Sequence, residues 1–282
     1  MAKKEFRSPK RNILSPCIEC ILNGSLLKKI KNIIRSPFSK VKLKSEITNV
    51  VYMNWLIPIE KIQHMIPEGI QVDVINGKTL FSILTYQHGH FGPAKLYRCK
   101  SLYGSPLQCN WRFYIAQDTG HFKEPTVLFF SNSMDSLLYS FGSRFFSNMM
   151  YTHYPLTFKH QYTDDQIHTK IDPGTSNAPD LDVSCHFIEE WNVPVDFRRI
   201  STHPKELLEK IIVQNQALTP LSRQLSHIAT ISLAFDIEQV KPLKIDFFKS
   251  QFLNKIVKEE NCFAFQIPSL TFFMNNEKRI NT

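Results

Sequence analysis

Between Val50 and Tyr86 the apolar positions form two strand-like runs with one helical stretch between them. Val50-Val51-Tyr52-Met53 is a β-branched and aromatic run that suits a strand. Asn54-Trp55-Leu56-Ile57 follows, and Pro58 then opens a short helix, where its missing N–H costs nothing. Ile59, Ile62 and Met65 fall at helical spacing until Ile66-Pro67-Glu68-Gly69 ends the helix. Ile70, Val72 and Val74 alternate with Gln71 and Asp73. Asn76-Gly77 separates this run from Leu80 to Tyr86. Both turn residues tolerate positive φ, so the pair predicts a tight hairpin.

Further on, His88-Gly89-His90-Phe91-Gly92-Pro93 opens a loop that runs to Gly104. Gln108 to Ile115 alternates and predicts a strand, with Gln108, Asn110, Arg112 and Tyr114 on one face. Strands are also predicted at Thr126 to Ser131, Leu156 to His160, Ile167 to Ile171, Leu181 to Trp191, Ile228 to Ile237, Cys262 to Ile267 and Leu270 to Met274. Helices are predicted at Met134 to Met150 and from about Lys205 to Gln216, and the chain around Pro242 reads as irregular. About ten strands and three helices in this order give an α+β fold built on a barrel or curved sheet.

Composition changes that picture only at the N-terminus. Twelve Lys or Arg against three Glu before Val50 account for the whole net charge of +9, so the rest of the chain is neutral. The basic balance therefore describes a tail and gives no reason to expect nucleic-acid binding. Ser8-Pro9, Ser15-Pro16 and Gly24 predict that residues 1–24 are mobile. Ser25 caps a short amphipathic helix, Leu26 to Arg35, with Leu26, Leu27, Ile30, Ile33 and Ile34 on one face and Lys28, Lys29, Lys31 and Arg35 on the other. Such a helix either packs its stripe on the protein itself or lies on an anionic membrane surface. The division expected is a basic extension over residues 1–46 and a barrel domain over residues 47–282. The six scattered cysteines follow no secretory signal, and no apolar run is long enough to span a bilayer. A cytoplasmic protein, peripheral to a membrane at most, is expected. Cys17-x-x-Cys20 has no second ligand pair nearby for zinc and no strand–helix junction for redox work.

The order of these parts resembles the acetoacetate decarboxylase-like superfamily, in a branch of uncharacterised bacterial domains. Five features carry the resemblance: the strand and short helix ending HMIPEGIQVD (His64 to Asp73), the Asn76-Gly77 hairpin, the loop at His90-Phe91-Gly92-Pro93, the strand bearing Asn110-Trp111-Arg112, and the strand and helix from Phe129-Phe130-Ser131 to Ser143-Arg144-Phe145-Phe146. It covers Ile47 to Trp191, and the C-terminal third by pattern alone. The resemblance implies a cone-shaped antiparallel β-barrel with a largely apolar interior pocket. In the decarboxylases a pocket lysine forms a Schiff base with a β-keto acid, which requires a neutral, nucleophilic amine. The aligned stretch here, Ser143 to Tyr151, has no lysine, and the next is Lys159; the pocket glutamate is matched loosely by Ser82. Acetoacetate decarboxylase activity is not expected.

Other residues can carry chemistry. If the face of Gln108, Asn110, Arg112 and Tyr114 lines the barrel, Arg112 is a bidentate clamp for a carboxylate; if not, it is exposed or paired with an acid such as Asp73 or Glu189. Arg144 has the same two readings. His88 and His90, two apart, are candidates for acid–base work and weaker ones for a metal, because Gly89 between them favours a loop. Tyr86 and Ser82 complete the candidate ligand set. No phosphate loop, nucleophile elbow or zinc signature is present, so neither cofactor nor metal is expected. The expected function is binding of a small, largely apolar organic acid or ketone, with or without lyase- or hydrolase-type chemistry that uses no lysine imine. The alternative is a non-enzymatic scaffold held at a membrane by residues 25–35.

Overall fold

The computed structural model describes all residues except 1–4, 25–40, 118–121, 148, 150, 221–224, 255 and 282. The amphipathic stretch 25–35 therefore lies outside the described residues. Strand β1 (Leu43–Pro58) runs unbroken through Asn54 to Ile57, and a short helix, Ile59–Ile62, follows Pro58. The predicted hairpin is present between β2 (Val74–Ile75) and β3 (Lys78–Pro93), with Asn76 at φ 50° and Gly77 at φ 76°. Ahead of it, Val72 contributes only an isolated bridge to Ile115. The remaining strands are β4 (Leu107–Tyr114), β5 (Thr126–Met134), β6 (Thr152–His153), β7 (Thr157–Tyr162), β8 (Gln166–Asp172), β9 (Leu181–Phe187), β10 (Gln216–Pro220), β11 (Leu225–Ala234), β12 (Lys241–Lys249) and β13 (Phe263–Asn281).

Seven of these strands close a barrel in the order β1-β3-β4-β5-β10-β11-β13, with β13 pairing back onto β1. Pairing is antiparallel, as between β4 and β5, except that β10 and β6 run parallel to β5. The 19-residue β13 also joins a second sheet: Phe263 to Met274 lie against β1, Thr271 to Asn281 against β11, and Ala264 to Gln266 against β12. From β12 that sheet continues through β9 and β8 to β7.

The second sheet covers one flank of the barrel, so β1, β3 and β4 are buried on both faces. Outward residues Met53, Trp55, Phe81, Ile83, Cys109, Trp111 and Phe113 share one core with Phe158, Ile167, Val183, Ile245 and Phe248 of the second sheet. Inward residues Tyr52, Leu84, Tyr86 and Tyr114 share another core with Phe263 and Phe265 and with Leu207, Leu208, Ile211 and Ile212 of the helix Pro204–Ile212. Each strand shows the period of two expected of a pleated backbone.

Several expectations change. Residues 5–24 are ordered: Ser15-Pro16, read as a breaker, begins the helix Ser15–Asn23, where proline suits the first turn. Phe6 is buried, and Thr175 Oγ1 and Asn177 Nδ2 donate to the carbonyls of Ser8 and Glu5. The loop predicted from His88 is instead the end of β3, where His90 takes φ 55° beside a register shift against β1. The predicted helix Met134 to Met150 contracts to Leu137–Phe146, because Ser136 caps it by accepting from the Tyr139 N–H. Gln216, expected at a helix end, begins β10; the irregular region at Pro242 is β12. No helix among the described residues is long and apolar enough to cross a membrane.

Candidate functional site

The inward faces of β3 and β4 meet inside the barrel in register, Ser82 beside Arg112 and Leu84 beside Asn110. A cavity of about 50 Å³ lies against them, lined by Tyr52, Tyr86, His88, Gln108, Asn110 and Arg112 on one side and by apolar residues of β11 and β13 such as Ile231, Leu270 and Met274 on the other. Thus Tyr86, His88, Gln108, Asn110 and Arg112 are brought together. Ser82 and Tyr114 sit immediately behind them: Ser82 Oγ is 2.9 Å from Tyr114 Oη and donates to Asn54 Oδ1 at 2.5 Å.

Arg112 is 3% exposed. Its Nη2 donates to Tyr114 Oη and to the Ile211 carbonyl, both at 3.1 Å, and its guanidinium lies over the rings of Tyr52 and Tyr114, each at 5.3 Å. Among the described residues no carboxylate pairs with it; Asp73 pairs with Lys210 instead, at 3.1 Å. Burial opposes its charge, yet the phenol oxygens of Tyr114 and Tyr52 outweigh burial and hold its pKa above the ordinary value. The arginine is therefore a buried cation. Two polar atoms of this cluster have no hydrogen-bond partner, Arg112 Nε and Asn110 Oδ1. An unmade bond of this kind costs about 1–3 kcal/mol, so it marks a place where a bound polar group would be stabilised.

His88 is anchored at both ring nitrogens, Nδ1 to Ser45 Oγ at 2.8 Å and Nε2 to Gln108 Oε1 at 2.7 Å, and its ring stacks on Phe91 at 4.3 Å. Burial lowers its pKa to about 4, against a smaller opposing effect of the Gln108 hydrogen bond, so the imidazole is neutral at neutral pH. Gln108 Nε2 donates on to Asn132 Oδ1. Burial likewise raises the phenols of Tyr86 and Tyr52, which stay protonated.

Two predicted residues lie elsewhere. His90, at the bend of β3, lines neither this cavity nor the next. Arg144 is buried beneath Phe6, donating from Nε to the Thr152 carbonyl at 2.7 Å, and burial lowers its pKa to about 10 despite the nearby Tyr151. Sequence reasoning missed Tyr52, hidden in a run apolar on both faces, and the whole far wall from β11 and β13. It also missed a second chamber of about 450 Å³ beyond Phe91, bounded by Leu43, Tyr103, Leu138, Tyr139, Gly142 and Met274. Among the described residues no lysine lines either chamber. Among the described residues no group of three or more His, Cys, Asp or Glu could hold a metal.

Residues 44–214, more than half of the chain, match the model of the family DUF2071, described as an uncharacterized conserved protein. No curated protein matches by sequence. Among solved structures, the chain is similar to the enduracididine biosynthesis enzyme MppR with HEPES buffer bound, at TM-score 0.56 and 9% identity over 86% of this chain and 88% of that one. Acetoacetate decarboxylase from Legionella pneumophila aligns at TM-score 0.54 and 10% identity, over 84% of this chain and 86% of its own. An acetoacetate decarboxylase-like enzyme from Sphingomonas wittichii RW1 aligns at TM-score 0.53 and 8% identity, over 85% and 93%. At such identities the likeness is one of fold, and that fold is acetoacetate decarboxylase-like.

Proposed function

The chain belongs to the DUF2071 family, and from that premise we propose that its barrel binds a small, largely apolar organic acid or ketone with Arg112 as the clamp for the carboxylate or carbonyl oxygen. One observation carries the reading. Arg112 is a cation buried in a largely apolar barrel, with no carboxylate beside it among the described residues and with Nε unmade. The phenols of Tyr52 and Tyr114 hold that cation without supplying a counter-charge, which an anionic ligand brings. The unpartnered Asn110 Oδ1 adds an acceptor for a hydroxyl or a protonated acid. MppR, of similar fold, has been solved complexed with pyruvate, itself a small oxo acid.

Among the described residues no lysine lines the cavity, so imine formation finds no nucleophile among them. Any lyase- or hydrolase-type turnover falls to other groups, and the neutral His88, whose Nε2–H is held by Gln108 Oε1, is the acid–base candidate, offering that N–H to a ligand oxygen once it gives up its Gln108 bond. A thermal-shift screen of the full chain against oxo, hydroxy and simple carboxylic acids tests the reading. An acid at a hundred times its dissociation constant stabilises the fold by about 2.7 kcal/mol, a rise of several degrees. That rise is expected to vanish in Arg112→Met. Acids that bind equally well to Arg112→Met would overturn the assignment.

A further inference from the structure

The two chambers differ in size and in wall chemistry. The inner one, at about 50 Å³, is a third of the roughly 150 Å³ that accommodates benzene, so it holds a carboxylate and little more. The outer one, at about 450 Å³, is three times that size and bounded mainly by Leu43, Leu102, Leu138, Phe146 and Met274. Phe91 and Met274 line both chambers. Phe91 lies between His88 and Tyr139, stacking at 4.3 Å on the first and 5.8 Å on the second. At the outer rim Leu102 is 82% exposed and Leu138 77%, a concentration of bare leucine that marks a binding mouth.

We propose that the two chambers form one site for a monocarboxylic acid with an extended alkyl chain, its head on Arg112 and its tail passing Phe91 and Met274 into the outer chamber. The inference rests on the reading of Arg112 above and adds the ligand class. Methionine adapts its shape to a passing chain at little cost, which suits it to the junction. Among the described residues the carboxylate on the outer wall is Glu277, held by Ser147 Oγ at 2.9 Å and facing His227 Nδ1 at 3.5 Å. The outer wall is largely apolar, and burying a second carboxylate there is costly, so the site discriminates against dicarboxylic acids of the same length.

Gly142 supplies a clean test. It lines the outer chamber from the helix Leu137–Phe146, and a Cβ added there meets nothing within 4 Å, so Gly142→Leu starts its side chain in open space and narrows the chamber. Calorimetric titration of the full chain with straight-chain acids from propanoate to octanoate should show affinity rising about fourfold per methylene. In Gly142→Leu the rise should stop at a shorter chain, and octanedioate should bind the unaltered protein more weakly than octanoate. Short acids that bind through Arg112 with no dependence on chain length, or a profile that Gly142→Leu leaves unchanged, would overturn the two-chamber site and leave the Arg112 reading standing. Binding of no acid at all, or undiminished binding to Arg112→Met, would overturn both.

Discussion

The two faces of β3 and β4 are equally buried and chemically opposite. Toward the second sheet they present Phe81, Ile83, Cys109, Trp111 and Phe113; toward the barrel axis they present Ser82, Tyr86, His88, Gln108, Asn110, Arg112 and Tyr114. On the outward face tight packing is enough. Phe81 meets Trp111 edge-on at 5.9 Å and Phe113 at 4.9 Å, and Trp111 Nε1 has a partner in Cys109 Sγ. On the inward face the same backbone carries, among the described residues, a guanidinium whose Nε has no acceptor and an amide oxygen without a donor. Stability alone favours filling such positions with apolar residues. Their polarity is what a ligand site requires.

Removing packing from the outward face is the largest perturbation. Trp111→Ala should lower unfolding free energy by about 3–5 kcal/mol, read from the urea midpoint, because it opens a cavity in a fully buried layer. A loss below 1 kcal/mol would mean that the second sheet does not hold the barrel. Acid comes next and acts on the inward face. The folded pKa of His88, about 4, lies below its ordinary 6.5. Between those values the unfolded chain binds a proton that the folded chain does not. Stability is therefore complete above pH 6.5 and falls as pH drops, by on the order of 3 kcal/mol at pH 4. His88→Gln should remove that part of the slope, while His160, also lowered by burial, keeps its own. An unchanged slope in the variant would show that His88 is solvated in solution.

Smaller effects separate the two faces more finely. Ser82→Ala removes a hydroxyl placed between Asn54 Oδ1 and Tyr114 Oη and should cost about 1–2 kcal/mol by urea denaturation. Arg112→Met should leave stability within about 1 kcal/mol or raise it, since Tyr114 still donates to the Ile211 carbonyl while a buried cation disappears. If that variant instead loses as much as Trp111→Ala, the arginine is a structural staple and the contrast between the faces collapses.

Local chemistry made part of this molecule legible in the sequence. The Asn76-Gly77 turn follows from backbone sterics, and the shared face of Gln108, Asn110, Arg112 and Tyr114 follows from the pleat, so both survive intact in the structure. Barrel-type architecture was legible in the succession of short apolar runs. The interior was harder to read. β1 and β3 are apolar on both faces because a second sheet covers the barrel, which erases the alternation that would have placed Tyr52 on the inner wall. β10 and β12 were missed because Gln216 and Pro242 are weak strand formers, held in place by pairing with β5, β11 and β9. Arg112 and Arg144 were indistinguishable as sequence; one lines the cavity and the other is buried beneath Phe6. The sequence determined which residues share a strand face, because that depends on a period of two along a single strand. Only the tertiary structure decided which face is the interior and what stands opposite, because β11 and β13 reach the site from well over a hundred residues away in the chain.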